Sequence, residues 1–179
     1  MIKLRPLLLS DLDKYKHWKL PHHEYHAFNG PYFKLETKEE IEKYIEKLKR
    51  DLQNNQALTN KKIVSNEKNE IIGEVSWYWR SQETNWLEIG IVIFDSTFWN
   101  KVIGCQALNL WIQEIFGLKK EIVRLGISTW SGNIGMIKLA KKVGMKKEAE
   151  YRNARIIKGQ YFDAVSYGIL KTEWFLSRD

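Results

Sequence analysis

The chain is short of the features that mark whole classes of protein. It has one cysteine, Cys105, among 179 residues, which excludes an internal disulfide framework and suits a reducing compartment. No apolar run reaches the roughly 18 residues that a membrane-spanning helix needs, and the N-terminal segment continues into charged, helix-like sequence, not into the apolar centre of a signal peptide. A soluble, cytoplasmic protein with no membrane partner is expected. No repeat, linker or low-complexity tract divides the sequence. With 44% hydrophobic and 28% charged residues, its composition is that of one globular domain, 1–179, with a substantial core.

Negative charge is also in deficit, leaving +7 at pH 7. Such an excess fits a nucleic-acid partner, an anionic ligand or plain solubility. The densest cluster, Lys138, Lys141, Lys142, Lys146 and Lys147, follows one expected helix, where a solvated face is the ordinary explanation. No aromatic ladder interleaves with these lysines as single-strand binding requires, so nucleic acid is disfavoured. Metal is disfavoured too, because His22, His23 and His26 with Glu24 read HHEYH, without the two-residue gap of H-E-x-x-H.

What is present reads as alternating strands and helices. Strands are expected at Ile2–Leu7, Lys61–Ser65, Ile71–Trp79, Leu87–Phe94 and Glu121–Ser128, and a last hairpin turns at Lys158–Gly159. Helices are expected at Leu12–Lys19, Val102–Phe116 and Ile134–Val143. A further helix follows Thr37, where Glu40 completes a capping-box pattern and Ile41, Tyr44, Ile45, Leu48 and Leu52 form one apolar face. Trp77 and Trp79 share a strand face, which suits packing against a helix or an aromatic acceptor pocket.

The most informative stretch is Leu87–Cys105, LEIGIVIFDSTFWNKVIGC. A continuous, mostly β-branched run with one carboxylate near its start reads as a strand covered on both faces. It passes through a short loop into a helix, whose N-terminal amides and dipole attract anions, with Lys101 adding a mobile cation. This segment resembles the acetyl-CoA motif of GNAT acetyltransferases, in which a strand, an Arg/Gln-x-x-Gly-x-Gly/Ala loop and a helix bind the CoA pyrophosphate. The loop pattern falls on Trp99, Asn100, Lys101, Val102, Ile103 and Gly104. Only the last glycine matches; Trp99 replaces Arg/Gln, as in the RimL-like branch that includes ribosomal-protein N-terminal acetyltransferases, and Val102 stands at the first glycine. There its Cβ branches would crowd the phosphate or strain the loop.

Further pieces carry the resemblance over nearly the whole chain. IKLRPLLLSDLDKYKHW resembles the family's first strand and helix, and Glu70–Arg80 with Trp86–Phe94 its central hairpin. Ser128–Asn133 followed by MIKLAKKVGM resembles the strand, CoA-contacting asparagine and last core helix. KKEAEYRNARIIKGQYFDAVSYGILKTEW resembles the RimL-like terminal hairpin. The resemblance implies a mixed α/β domain with a mainly antiparallel, twisted sheet, flanked by helices on both faces and splayed at its centre.

It also implies acetyl transfer from acetyl-CoA to a primary amine by direct attack, without a metal. The amine must be neutral to attack, and a lysine-like amine costs about 4.6 kcal/mol to deprotonate at pH 7. Glu88 matches the family's general base and begins an otherwise apolar strand; the alternative is a solvated strand end paired with a surface lysine. Backbone amides near Val92, Ile93 and Phe94 would bind the thioester and pantetheine. Asn100, Lys101, Val102, Ile103, Gly104 and Cys105 would hold the pyrophosphate. Asn133 is a helix N-cap, a CoA ligand, or both. Cys105 reads as a small packing residue, since no histidine partner supports an acetyl-cysteine route.

The family's tyrosine acid aligns with Ala140, so Tyr151, Tyr161, Tyr167 or water would protonate the leaving thiolate. The acceptor would be a small-molecule amine in preference to a peptide N-terminus, and a homodimer is compatible with the resemblance. The rival class is a non-catalytic module that senses acyl-CoA or binds RNA.

Overall fold

A computed structural model describes residues 2–176. Seven strands, β1 (Lys3–Arg5), β2 (Lys61–Ser65), β3 (Ile71–Ser81), β4 (Trp86–Ile93), β5 (Arg124–Trp130), β6 (Lys146–Ile157) and β7 (Gln160–Leu170), form one sheet in the order β1-β2-β3-β4-β5-β7-β6. Every neighbouring pair is antiparallel except β4 and β5, which run parallel. The helices are α1 (Leu12–Lys19), α2 (Lys38–Gln53), α3 (Ile103–Leu118), α4 (Ile134–Lys142) and α5 (Lys171–Leu176). The mixed, mainly antiparallel sheet with helices on both faces is the expected architecture.

Alternation along the strands sorts the core into two layers. On one face Val75, Leu87, Ile89, Leu125, Ile127, Val165 and Tyr167 pack with Leu108, Trp111, Ile112 and Ile115 of α3 and Ala140 of α4. On the other, Ile63, Ile71 and Phe94 meet Leu12 and Tyr15 of α1 and Ile41, Ile45 and Leu48 of α2. Trp77 and Trp79 lie partly buried against the α3 layer, with the Lys119 ammonium 4.3 and 5.2 Å from their ring centroids. They pack on the helix layer. The α2 start is as its sequence indicates: the Glu40 amide donates to Thr37 Oγ1 at 3.2 Å, and the Thr37 amide to Glu40 Oε2 at 2.6 Å.

β3 runs two residues further than expected, to Ser81, and β4 spans Trp86–Ile93; the first and fifth strands differ more. Only Lys3–Arg5 of the first segment pairs with β2. At the fifth strand, Ile122 N–H turns back to the Lys119 carbonyl and Val123 is exposed, so pairing starts at Arg124 and follows β7 to Trp130. The lysine cluster is solvated: Lys146 pairs with Glu173 and Lys147 with Glu150 at the surface.

Candidate active site

The sheet opens where its two parallel strands part. β4 and β5 pair only at Leu87↔Leu125 and Glu88↔Gly126, although β4 stays on β3 as far as Ile93 and β5 stays on β7 as far as Trp130. Beyond Glu88 the inner edge of β4 therefore faces a widening gap. The Phe94 amide donates to Ile72 at 2.9 Å, and the alternation of an antiparallel ladder turns the Val92 amide towards β3 as well. Phe94 is therefore not a free donor, and of the three expected positions Ile93 alone faces the gap, with Ile91 two residues before it. The Ile93 carbonyl accepts the Trp99 indole N–H at 2.9 Å.

At the wide end of the gap the chain forms the loop that leads into α3. Asn100 takes the left-handed conformation there, φ 57°, a position short polar side chains tolerate. Val102 is ordinary helical backbone, φ −67°, and its side chain is exposed; no strain attends the missing glycine. No side chain caps α3, whose first backbone bond is Gln106 N–H to Val102. The amides of Ile103, Gly104 and Cys105 are thus left for an anion at the helix N-terminus, and the exposed Lys101 stands beside them, its ammonium 5.4 Å from the Phe98 ring. Cys105 is half-buried against the α3 core layer, and its sulfur accepts Asn109 Nδ2 at 3.4 Å.

The start of α4 contrasts with that of α3. Asn133 Oδ1 accepts the Met136 amide at 3.1 Å, so this helix is capped by its own side chain. Asn133 Nδ2 and Trp130 Nε1 both donate to the Phe28 carbonyl, at 3.2 and 3.0 Å. The Phe28 ring meets Trp99 edge-on at 5.5 Å. The segment before α2 therefore straps the β5 side of the gap to the β4 side.

Glu88 sits at the apex, 1% exposed. Its carboxylate accepts Tyr78 O–H at 2.7 Å and Ser128 O–H at 3.0 Å, and no ion pair joins it among the described residues. That is not the environment of a solvated strand end. Tyr78 stays protonated, because burial and the neighbouring Glu88 carboxylate push its phenol well above the usual range. Sequence reasoning missed both hydroxyls. The hairpin register could have found Tyr78, which lies directly across from Glu88; Ser128 reaches it only through the β4–β5 pairing.

Glu88, Arg124 and Ser166 line a cavity of about 510 Å³, with Arg80, Trp86 and Tyr151 around it. It lies on the face of the sheet opposite α3, since Glu88 alternates with the α3-facing Leu87 and Ile89. The three tyrosines named as acids separate here: Tyr151 lines this cavity, Tyr161 is exposed beside the hairpin turn, and Tyr167 is buried in the α3 layer. The histidines form no metal site among the described residues. His23 and His26 instead donate ring N–H groups to the His17 and Leu20 carbonyls at 2.8 and 3.1 Å.

Comparison with known proteins places this arrangement. The family model described as an acetyltransferase (GNAT) domain matches residues 2–146. The chain belongs to the GNAT acetyltransferase family. Among solved structures, a GNAT-family acetyltransferase from Bacillus anthracis is 16% identical with a TM-score of 0.74, covering 96% of each chain. Spermidine N-acetyltransferase from Vibrio cholerae, in complex with CoA and spermine, is 16% identical with a TM-score of 0.75, covering 97% of this chain and 98% of that one. RimL, the ribosomal L7/L12 α-N-protein acetyltransferase in complex with CoA, is 19% identical with a TM-score of 0.71, covering 94% and 93%. These likenesses are of fold. No curated protein matches the sequence.

As a GNAT enzyme the protein uses acetyl-CoA, and its residues fit that cosubstrate: an uncapped α3 N-terminus for the pyrophosphate and a strand gap with inward-facing amides for the pantetheine. Besides Trp99, the departures from the family pattern include Val102 and Ala140, which is fully buried in α4.

Proposed function

We propose that the enzyme acetylates the primary amine of a small molecule, by direct attack on acetyl-CoA, as a soluble cytoplasmic member of the RimL-like branch. One observation supports this above the others: a buried, hydroxyl-bonded carboxylate at the apex of the β4–β5 gap opens onto a cavity on the face opposite α3. The cosubstrate enters along one face and the amine along the other, and they meet at Glu88.

Glu88 accepts the proton of the arriving ammonium, directly or through one water. The freed lone pair forms the C–N bond to the acetyl carbon, the C–S bond breaks and the sulfur leaves with the bonding pair, while the nitrogen releases its remaining extra proton to water to become the amide. The Ile91 and Ile93 amides are the donors placed for the carbonyl oxygen. Tyr78, protonated and bonded to Glu88, is placed to return a proton towards the thiolate once Glu88 has gained one. Asn133 serves as helix cap and strap anchor, and contacts the pantetheine through rearrangement of its amide.

A thiol-release assay across small amines and peptide N-termini tests the reading. Turnover with small amines above peptides is the expected result. Binding of CoA without release for any acceptor would identify a sensor, and a steep salt-dependent affinity for RNA would identify the nucleic-acid module; either outcome refutes the proposal.

A further inference from the structure

Arg124 opens β5, and its side chain lies along the cavity floor beside Glu88. Nε and Nη2 donate to the Glu148 carboxylate. Nη1 is buried and has no hydrogen-bond partner. It stands directly over Gly126, where an added Cβ would come within 2.7 Å of it. Gly126 is the register partner of Glu88, so the unpartnered Nη1 of the guanidinium and the base carboxylate belong to side chains that project from adjacent strands, about 4.8 Å apart in the sheet.

The trough that holds the ion pair is made by a second glycine. Gly168 faces Gly126 across the β5–β7 ladder, and a Cβ there would collide with the Glu148 carboxylate. Two facing glycines thus let Arg124 and Glu148 lie flat on the sheet. Any side chain at either position would lift the pair away. A buried guanidinium N–H without an acceptor is disfavoured, and the partner that satisfies it best is an anionic oxygen. A second guanidinium, Arg80, stands at the same cavity 5.5 Å from the Trp86 ring.

We propose that Arg124 is a specificity residue of the acceptor site, its Nη1 edge taking the carboxylate of an α- or β-amino acid whose amine is presented to Glu88. The inference rests on the acetyl-transfer reading and names the acceptor class for it. Amine and carboxylate separated by one or two carbons match two groups that project from neighbouring strands. A polyamine would set a second ammonium against Arg124, where like charge repels it.

The test compares leucine, phenylalanine and β-alanine with their primary amides, which keep the shape and lose the charge. The kcat/KM of each acid relative to its amide is measured for the wild type, Arg124→Gln and Arg124→Lys. The wild type should favour the acids at least tenfold, Arg124→Lys should retain part of that preference, and Arg124→Gln should bring the ratio to about one. Because each ratio is taken within one protein, partial unfolding lowers both numbers and leaves it readable. The wild-type comparison stands even if neither variant folds. A wild-type ratio of one, a preference that survives Arg124→Gln, or turnover confined to spermidine or peptide N-termini would overturn the inference and leave the acetyltransferase reading intact. Thiol release with no amine at all would overturn both.

Discussion

A carboxylate that is 1% exposed is costly unless its oxygens are bonded. Glu88 has two hydroxyl donors and, among the described residues, no ion-pair partner, so the two hydroxyls satisfy its oxygens and hold the carboxyl group in place. Glu88→Gln keeps an acceptor oxygen for Tyr78 or Ser128 but cannot take a proton. Turnover at neutral pH should fall by roughly 10²–10⁴ with CoA binding nearly unchanged, the scale on which a general base contributes. Steady-state kinetics beside CoA titration checks this, and near-wild-type turnover would leave Glu88 a structural residue. The role of base came from the family resemblance; the burial of Glu88 was legible because it is the one charge at the start of an apolar run. Arg124 was not: its meaning comes from a glycine two residues on, another across the ladder and a glutamate from a third strand, which no local pattern links.

At the scale of elements, local signals were sufficient where the element was self-contained. The Thr37–Glu40 box and the hairpin turn at Lys158–Gly159 fall where cap and turn residues put them, and the α1 limits match the expected range although no side chain caps its start. β5 moved because its length is set by β7, a partner some forty residues away. The loop into α3 is the element on which expectation and structure can be weighed quantitatively. Val102 is unstrained and exposed, so of the two reasons for a family glycine only crowding of the phosphate remains. Val102→Gly should then tighten CoA binding while kcat stays level, because uniform binding is what improves. The added chain entropy costs up to about 1 kcal/mol of stability, so calorimetric titration is done well below the melting temperature. Equal or weaker affinity would mean that the Val102 side chain turns aside when CoA binds.

At the scale of the whole molecule, the layer that carries the strap across the gap is fastened to the sheet by charge. Glu74 of β3, buried under α1, accepts Tyr15 O–H at 2.6 Å and pairs with Lys19 of α1 at 3.0 Å and Lys61 of β2 at 3.3 Å. Burial alone would push its carboxyl up, but the two ammoniums and the phenol outweigh it and hold it at about 2, against an ordinary 4.5. A folded-state value below the unfolded one stabilises the fold above the unfolded value, and the gain is lost as pH falls through the folded value. For Glu74 that window runs from about 4.5 down to about 2, and the contribution at neutral pH is on the order of 3 kcal/mol. Glu74→Gln removes the titrating group and leaves Lys19 and Lys61 without their counter-charge. Urea unfolding at pH 6 should therefore show the variant less stable by about 3 kcal/mol, and by pH 3 the gap should narrow by about 2 kcal/mol, because the wild type loses what the variant never had. Two curves that decline in parallel over this range would show that the acid sensitivity of the fold lies elsewhere.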